Sequence, residues 1–143
     1  MKRKTNISKS PFDVVLKWIT YFNQHDANGL ATLYATNAVN DQVAEKPVKG
    51  KKRIQIMLED TFYTFPDMTC IPINILQDGE WVALEWSGWS TMMKPIGKIK
   101  PTKKKSYQRG CGFFKIQKGK IVLQHGYWDK LSWYKQIGVK IEN

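Results

Sequence analysis

The residues best suited to chemistry lie near the end of the chain, where Tyr127-Trp128-Asp129 closes a strand-like segment. A carboxyl group held among large aromatic side chains is poorly solvated, which raises its pKa and can make it an acid or base near neutral pH. Asp is also a favoured residue at the start of a helix, and residues 130–138 have helical character. The sequence leaves both interpretations of Asp129 open: a proton-transferring group, or the N-cap of a C-terminal helix.

Three further polar residues are candidates for the same site. Asp41 could act as a second base, or could be an exposed loop carboxylate. His125 lies on the same strand face as Asp129, but four residues of strand, about 13 Å, prevent direct contact. Arg109 could hold an anion or enolate, because a guanidinium binds carboxylates in a fixed fork. The alternative for Arg109 is a cross-strand surface pair with Glu85.

Large apolar side chains would supply the walls of a pocket for a small apolar or aromatic ligand. The alternative is that they only pack the core. Trp81 and Trp89 fall on the opposite strand face, and exposed aromatics there predict a homodimer through the outer face of the sheet. The predicted binding residues are Trp18, Met57, Trp86 and Phe114 as the wall, with Arg109, His125 and Tyr127 beside them.

The order of the elements predicts the frame that positions these residues. Helical spacing comes first and alternating strands follow, which predicts an α+β fold: a curved, mostly antiparallel sheet with helices on one face and a conical cavity between them. The predicted helices cover about 11–25, 27–34 and 51–64, with a short one at 130–138. The predicted strands cover 38–43, 68–77, 81–92, 106–117 and 121–129.

The length and composition predict one globular domain over residues 10–143, preceded by a disordered basic tail, residues 1–9. No apolar run is long enough to span a bilayer, and the basic N-terminus has no apolar segment behind it. We therefore expect a cytoplasmic protein with no membrane association. The two cysteines, Cys70 and Cys111, form no metal-binding pattern and are expected to be free thiols. No metal and no cofactor are predicted.

Positive charge is concentrated in the second half of the chain. The net charge is +11, and residues 94–120 contain ten Lys or Arg and no Asp or Glu. This run could bind a polyanion, but its densest part, residues 98–105, lacks aromatic residues interleaved with the cations, and no DNA-binding motif is present. We therefore expect a solvated loop at 94–105 and no specific nucleic-acid partner.

Several short segments follow one another in a characteristic order across nearly the whole chain. That order resembles the nuclear transport factor 2-like superfamily, and within it the SnoaL-like polyketide cyclase and ketosteroid isomerase group. The resemblance implies a cone-shaped, cystatin-like α+β barrel in which the sheet wraps three helices. The segments are Asn23–Tyr34, Pro47–Gly50, Asp78–Trp86, Gly119–Ile121 followed by Tyr127–Asp129, and Gln136–Gly138.

The resemblance also implies roles for individual residues. The cyclases use an acidic residue in the final strand near the Tyr-Trp-Asp position, which matches Asp129. The ketosteroid isomerases use an Asp before the third helix, and Asp41 lies at a matching distance from Gly50. The implied function is a cofactor-free acid/base enzyme that cyclises or isomerises a small carbonyl compound. The alternative is a non-catalytic domain of the same fold that binds a small ligand or another protein.

Overall fold

The computed structural model describes residues 10–141, which form four helices and six strands. In chain order the elements are α1 (Pro11–Asn23), α2 (Ala27–Leu33), β1 (Tyr34–Gln42), β2 (Val48–Lys49), α3 (Lys51–Thr64), β3 (Ile71–Asp78), β4 (Trp81–Thr91), β5 (Lys105–Gln117), β6 (Lys120–Trp128) and α4 (Lys130–Ile137).

All six strands belong to one sheet, in the order β2-β1-β6-β5-β4-β3. Its pairs are antiparallel except that of β1 with β6, which is parallel. The β5–β6 hairpin turns at Lys118 and Gly119, whose φ angles of 49° and 73° are both positive. A two-residue turn with two positive φ angles matches the twist of the strands that it joins, which is why glycine is favoured there.

The first helix begins where the sequence predicts. Ser10 is the N-cap, and its hydroxyl accepts a hydrogen bond from the Asp13 backbone N–H at 3.2 Å. Pro11 occupies the first turn, where its missing N–H costs nothing. The helix then buries Val14, Val15, Trp18 and Ile19, one apolar stripe at helical spacing, against the sheet.

The core lies between the sheet and α1–α3. Trp18 packs edge-on against Phe114 of β5 with ring centroids 5.2 Å apart, and Leu30, Ile54 and Leu84 are fully buried around them. A second, smaller cluster lies under α4. It consists of Met92, Trp133 and Ile137, with Phe65, Ile99, Trp128, Tyr134 and Val139 packed against them.

The predicted α+β fold is confirmed, with differences at some strand bounds. β1 begins at Tyr34, not at residue 38, because it pairs with β6, a partner more than eighty positions away along the chain. β3 begins at Ile71, not at residue 68. The chain before it is held by side-chain hydrogen bonds, since Asn23 bonds both the N–H and the C=O of Cys70.

Two other expectations concern the ends of the chain and the membrane. The predicted disordered tail, residues 1–9, lies outside the described residues. Within residues 10–141, every helix is too short or too polar to cross a membrane.

Candidate functional site

The two faces of the sheet can be told apart from side-chain contacts. The Tyr34 hydroxyl donates to Gln124 Oε1 and accepts from the Trp18 indole N–H of α1 at 2.8 Å. Gln124 therefore points towards the helices. A Cβ added at Gly126 would collide with the Gln42 side chain, so residue 126 faces the same way. Because successive strand residues alternate, the inner face of β6 carries Gln124, Gly126 and Trp128.

The polar groups on this inner face are neutral. Burial raises the pKa of Tyr34 well above its ordinary value, although the hydrogen bond from Trp18 acts in the opposite direction. The phenol therefore stays protonated. Next to it, Gln42 Nε2 donates to Asn40 Oδ1 at 2.8 Å, and Asn40 is in register with Gln124. The inner face thus offers amide and phenol groups, which donate and accept hydrogen bonds without carrying charge.

Several residues of the inner face remain partly exposed, and we treat them as one candidate binding surface. Trp86, Gly110 and Trp128 lie side by side on β4, β5 and β6. All three are partly exposed, as is Gln42. A Cβ at Gly110 would come within 2.6 Å of the Trp86 ring, so glycine is needed for the indole to lie over the strand. We call Gln42, Trp86, Gly110 and Trp128 the concave recess.

One buried donor close to the recess has no partner. The Trp133 ring of α4 packs against Trp128 with centroids 6.2 Å apart. Trp133 is 5 % exposed, and its Nε1 makes no hydrogen bond with any of the described residues. A buried N–H without an acceptor is unfavourable, and a ligand oxygen would satisfy it.

Asp129 is exposed and caps α4, which is the second of the two interpretations that the sequence left open. Its Oδ1 accepts from the Ser132 backbone N–H at 2.8 Å. The poor solvation expected between the aromatics is not found, because the carboxyl group follows the last strand residue and lies outside the sheet. Asp129 does line a groove of about 480 Å³, together with Tyr107, Gln108, Arg109, Ser132 and Gln136.

The groove lies beyond the end of β6, where α4 takes the place of that strand beside the first residues of β5. Gln136 Nε2 donates to the Tyr107 carbonyl and Oε1 accepts from the Tyr107 N–H, both at 2.8 Å. The side-chain amide thus satisfies the part of β5 that β6 does not reach. This contact fixes α4, and with it Asp129, beside the start of β5.

Four of the predicted pocket residues lie on the outer face, away from the helices: Asp41, Arg109, His125 and Tyr127. Asp41 is the register partner of His125, and the residues before and after each of them along its strand face the helices. Arg109 is opposite Ser87 and not paired with Glu85, which instead accepts a hydrogen bond from Asn74. The sequence placed these residues in the pocket, and alternation along the strands turns them the other way.

The four predicted wall residues divide into two pairs. Trp18 and Phe114 are 6 % and 1 % exposed and are part of the packed core. Met57 and Trp86 are packed against the core but remain partly exposed. Only the second pair can meet a ligand without rearrangement of the core.

Sequence reasoning missed Gln42, Gly110 and Trp128 of the recess, and Trp133 with its unpartnered N–H. One signal was available: glycine at alternate positions of a predicted strand, as at 110 and 112, marks a place where another group approaches the backbone closely. Within residues 10–141, no group of three or more His, Cys, Asp or Glu is arranged to hold a metal ion.

The fold defines a class: a curved, mostly antiparallel sheet with helices packed on its inner face. The SnoaL-like polyketide cyclase family model matches residues 12–137, and the chain belongs to this family. None of the curated proteins matches the sequence.

Solved structures share the fold at low sequence identity. A proposed polyketide cyclase from Pseudomonas putida superposes with a TM-score of 0.84 at 18% identity, over 90% of this chain and 98% of that one. IdmH, a proposed polyketide cyclase from Streptomyces antibioticus, has a TM-score of 0.76 at 24% identity, over 92% of this chain and 100% of that one. A protein with a ketosteroid isomerase-like fold from Catenulispora acidiphila, in complex with trimethylamine, has a TM-score of 0.77 at 15% identity, over 92% of this chain and 96% of that one.

Proposed function

We propose that this SnoaL-like protein binds a small, flat, apolar or aromatic ligand in the concave recess, and that it does so without a catalytic carboxylate in the final strand. The observation that carries the proposal is the inner face of β6. Its side chains are Gln124, Gly126 and Trp128, and none of them is an acid. Trp128 lies in the recess itself, and the Gln42 amide occupies the space beside Gly126.

The recess supplies the two kinds of contact that such a ligand needs. The Trp86 and Trp128 rings offer apolar surface, and aromatic rings favour flat partners. The Gln42 amide can bond a carbonyl oxygen of the ligand, and the buried Trp133 N–H would bond it once a local shift of the side chains exposes that atom. A ligand with an aromatic body and a carbonyl group would use both.

Two probes with the same aromatic body separate these contacts. 2-Acetylnaphthalene carries a carbonyl group and 2-ethylnaphthalene does not, and calorimetric titration would measure both affinities. We expect Trp86→Leu to weaken binding of both about tenfold, because roughly 1–2 kcal/mol of apolar contact is lost. Trp133→Phe should weaken only the ketone, several-fold.

Trp89→Leu provides the matched control, since it removes the same side chain from the outer face of the same strand. It should change neither affinity. Equal affinities in wild type, Trp86→Leu and Trp89→Leu would contradict the proposed site.

A second candidate function is acid/base catalysis in the groove beside α4. It is favoured by the presence of Asp129 and Arg109 in one groove of about 480 Å³. Asp129 would remove the proton next to a carbonyl group, and Arg109 would stabilise the enolate in an aldol cyclisation or a double-bond shift. Asp41 is not among the groove-lining residues.

The same ketone tests this second candidate. A base acting next to the carbonyl group would exchange the acetyl methyl protons of 2-acetylnaphthalene in D₂O, which proton NMR detects. The enzyme hypothesis expects exchange above the background rate and a loss of at least 100-fold in Asp129→Asn. The binding proposal expects background exchange in both proteins.

We also propose that two copies of the chain associate through the outer sheet face. Trp81, Phe113 and Tyr127 are exposed there, and the Phe113 and Tyr127 rings pack at 6.1 Å. Asp41, Glu85 and Lys115 also project from this face. Charges of both signs around an apolar centre suit a two-fold interface, in which each copy meets the same surface.

The cytoplasmic location stays a prediction of the sequence.

Light scattering tests the homodimer. Phe113→Glu should halve the molar mass, because it puts two carboxylates at the interface. Cys111 lies on this face, so its reaction with a thiol reagent should be slow in wild type and fast in Phe113→Glu. Cys70 should remain unreactive in both, since burial raises the pKa of its thiol to about 12. A monomeric wild type would refute the dimer.

A further inference from the structure

One end of the molecule carries a dense positive charge without compensating acids in the sequence. Residues 94–109 contain seven cations and no Asp or Glu, and all seven are exposed: Lys94, Lys98, Lys100, Lys103, Lys104, Lys105 and Arg109. The ion pair found in the described part of the chain joins Lys130 to Glu45 and involves none of them. Acids of other elements lie near three of the seven: Asp67 near Lys105, Asp129 in the groove with Arg109, and Asp60 in a groove with Lys94. The remaining excess of positive charge attracts polyanions.

The run itself contains one aromatic residue, Tyr107, and the tertiary structure brings Tyr63 and Trp89 from other elements beside it. Tyr63 of α3, Trp89 of β4 and Tyr107 of β5 are 66%, 44% and 38% exposed. Lys94 Nζ lies 4.9 Å from the Tyr63 ring centroid, and Lys105 Nζ lies 5.4 Å from that of Trp89. Trp89 and Tyr107 are register partners with ring centroids 4.9 Å apart.

We propose that this basic-aromatic surface, formed by residues 94–109 with Tyr63 and Trp89, binds single-stranded nucleic acid without sequence preference. Such binding combines cations that follow the phosphates with aromatic rings on which bases stack. A duplex fits poorly, because its bases are already stacked and paired. The proposal is independent of the ligand proposed for the concave recess.

The position of the rings favours a nucleic acid over an anionic membrane. A residue that enters a membrane has to project beyond the lysines that bind the headgroups. Trp89 and Tyr107 instead lie on the sheet behind the lysine-rich loop, since β4 ends at Thr91 and β5 begins at Lys105. A flexible single strand can follow the loop and lay its bases on the sheet. Trp81, eight residues along β4, is about 27 Å away, so the two proposed surfaces are centred at opposite ends of this strand and meet only near Arg109.

The test uses fluorescein-labelled (dT)15 and fluorescence anisotropy between 20 and 150 mM NaCl. We expect Trp89→Leu to weaken binding about tenfold, because a stacked base is lost. Trp81→Leu is the matched control, since it removes an exposed indole that also lies under a lysine, Lys115 at 5.8 Å. It should change the affinity less than twofold. Trp89→Tyr, which keeps a ring, should retain binding within threefold.

Salt dependence and vesicles complete the test. Replacing Lys103, Lys104 and Lys105 by Gln should lower the slope of log K against log[NaCl] by about 2, given roughly 0.7 for each phosphate contact on a single strand. The proposal is overturned by an absence of binding at 20 mM NaCl, by equal effects of Trp89→Leu and Trp81→Leu, or by tighter binding to phosphatidylserine vesicles than to (dT)15.

Discussion

The inner and outer faces of the sheet differ in the kind of polar group that they carry. The inner face holds Tyr34, Asn40 and Gln124, which are neutral, buried and hydrogen-bonded. The outer face of the neighbouring strands holds Asp41 and His125, one position away along the same backbones. Nearly every ionisable residue that the sequence offers for the site therefore faces away from the helices.

The physical reason is the cost of burying charge. A neutral amide or phenol can be buried if it is hydrogen-bonded, whereas an unpaired carboxylate cannot without a large penalty. The inner face therefore favours ligand contacts that need no proton transfer. The outer face favours association with charged or aromatic partners.

The largest expected effect comes from breaking the inner hydrogen-bond chain. Tyr34→Phe leaves the Trp18 N–H and the Gln124 carbonyl oxygen buried without their partner. We expect the free energy of unfolding to fall by about 3 kcal/mol, because each unsatisfied buried group costs roughly 1–3 kcal/mol. Urea denaturation measures this change. Tyr127→Phe, the same substitution on the outer face, should stay within about 0.5 kcal/mol. Equal effects would remove the distinction between the two faces.

The second prediction concerns the glycine beneath Trp86. In Gly110→Ala the new Cβ would lie 2.6 Å from the Trp86 indole and 2.5 Å from the Tyr127 carbonyl oxygen. Both groups would therefore have to move away from residue 110. We expect a loss of about 2 kcal/mol in stability, typical of overpacking, together with weaker ligand binding. Thermal and urea unfolding would measure it.

Gly112→Ala is the control on the same strand face. Its Cβ would lie 3.4 Å from the His125 carbonyl oxygen and 3.5 Å from the Phe114 ring. That spacing is close to ordinary contact, so the loss should be less than half that of Gly110→Ala. A larger loss at Gly112 would mean that Trp86 does not lie over Gly110.

The third prediction separates capping from chemistry at Asp129. Asp129→Ala should cost about 1 kcal/mol, because the Ser132 N–H loses its acceptor. Asp129→Asn should cost only a few tenths, since Asn is an equally good N-cap. Chemical denaturation of the two variants provides the comparison. If both variants lost equal stability, a role for the charge itself would be indicated.

The smallest effect should be the pH dependence at Asp67, which holds the end of β4. Burial tends to raise the pKa of Asp67, but the Thr91 hydroxyl and N–H and nearby Lys105 lower it overall. A lowered folded-state pKa stabilises the fold above the unfolded value of about 3.9, and this contribution is lost as the pH falls through the folded value.

Asp67→Asn removes that contribution. Because the group is largely exposed, we expect a difference from wild type of less than about 1 kcal/mol at pH 7. Urea titrations at several pH values should show the two proteins converging below about pH 4. A gap that stayed constant down to pH 3 would contradict the assignment.

The local signals in the sequence were sufficient for most elements. Helix α3 occupies residues 51–64 as predicted, because Gly50 precedes a regular apolar stripe and Pro66 follows it. The Lys118-Gly119 turn joins β5 to β6 as expected, whereas the turn between β3 and β4 is Gly79-Glu80, one residue beyond the predicted position, because Asp78 still pairs with Trp81. The full length of β1, and β2 with it, could not be predicted, since both depend on pairing with distant parts of the chain.

The sequence by itself determined the helices, the strand alternation, the family and the concentration of positive charge in residues 94–120. It could not determine which set of alternating residues faces the helices. In β6 the inner residues include Gln124 and Gly126, while the outer ones include Leu123 and Tyr127, so hydrophobicity favours the opposite choice. Only contacts with Trp18, Tyr34 and Gln42, which lie far away in the sequence, decide it. Tertiary structure also brought Tyr63 and Trp89 to the lysines, because aromatic and basic residues from separate elements meet only after the chain has folded.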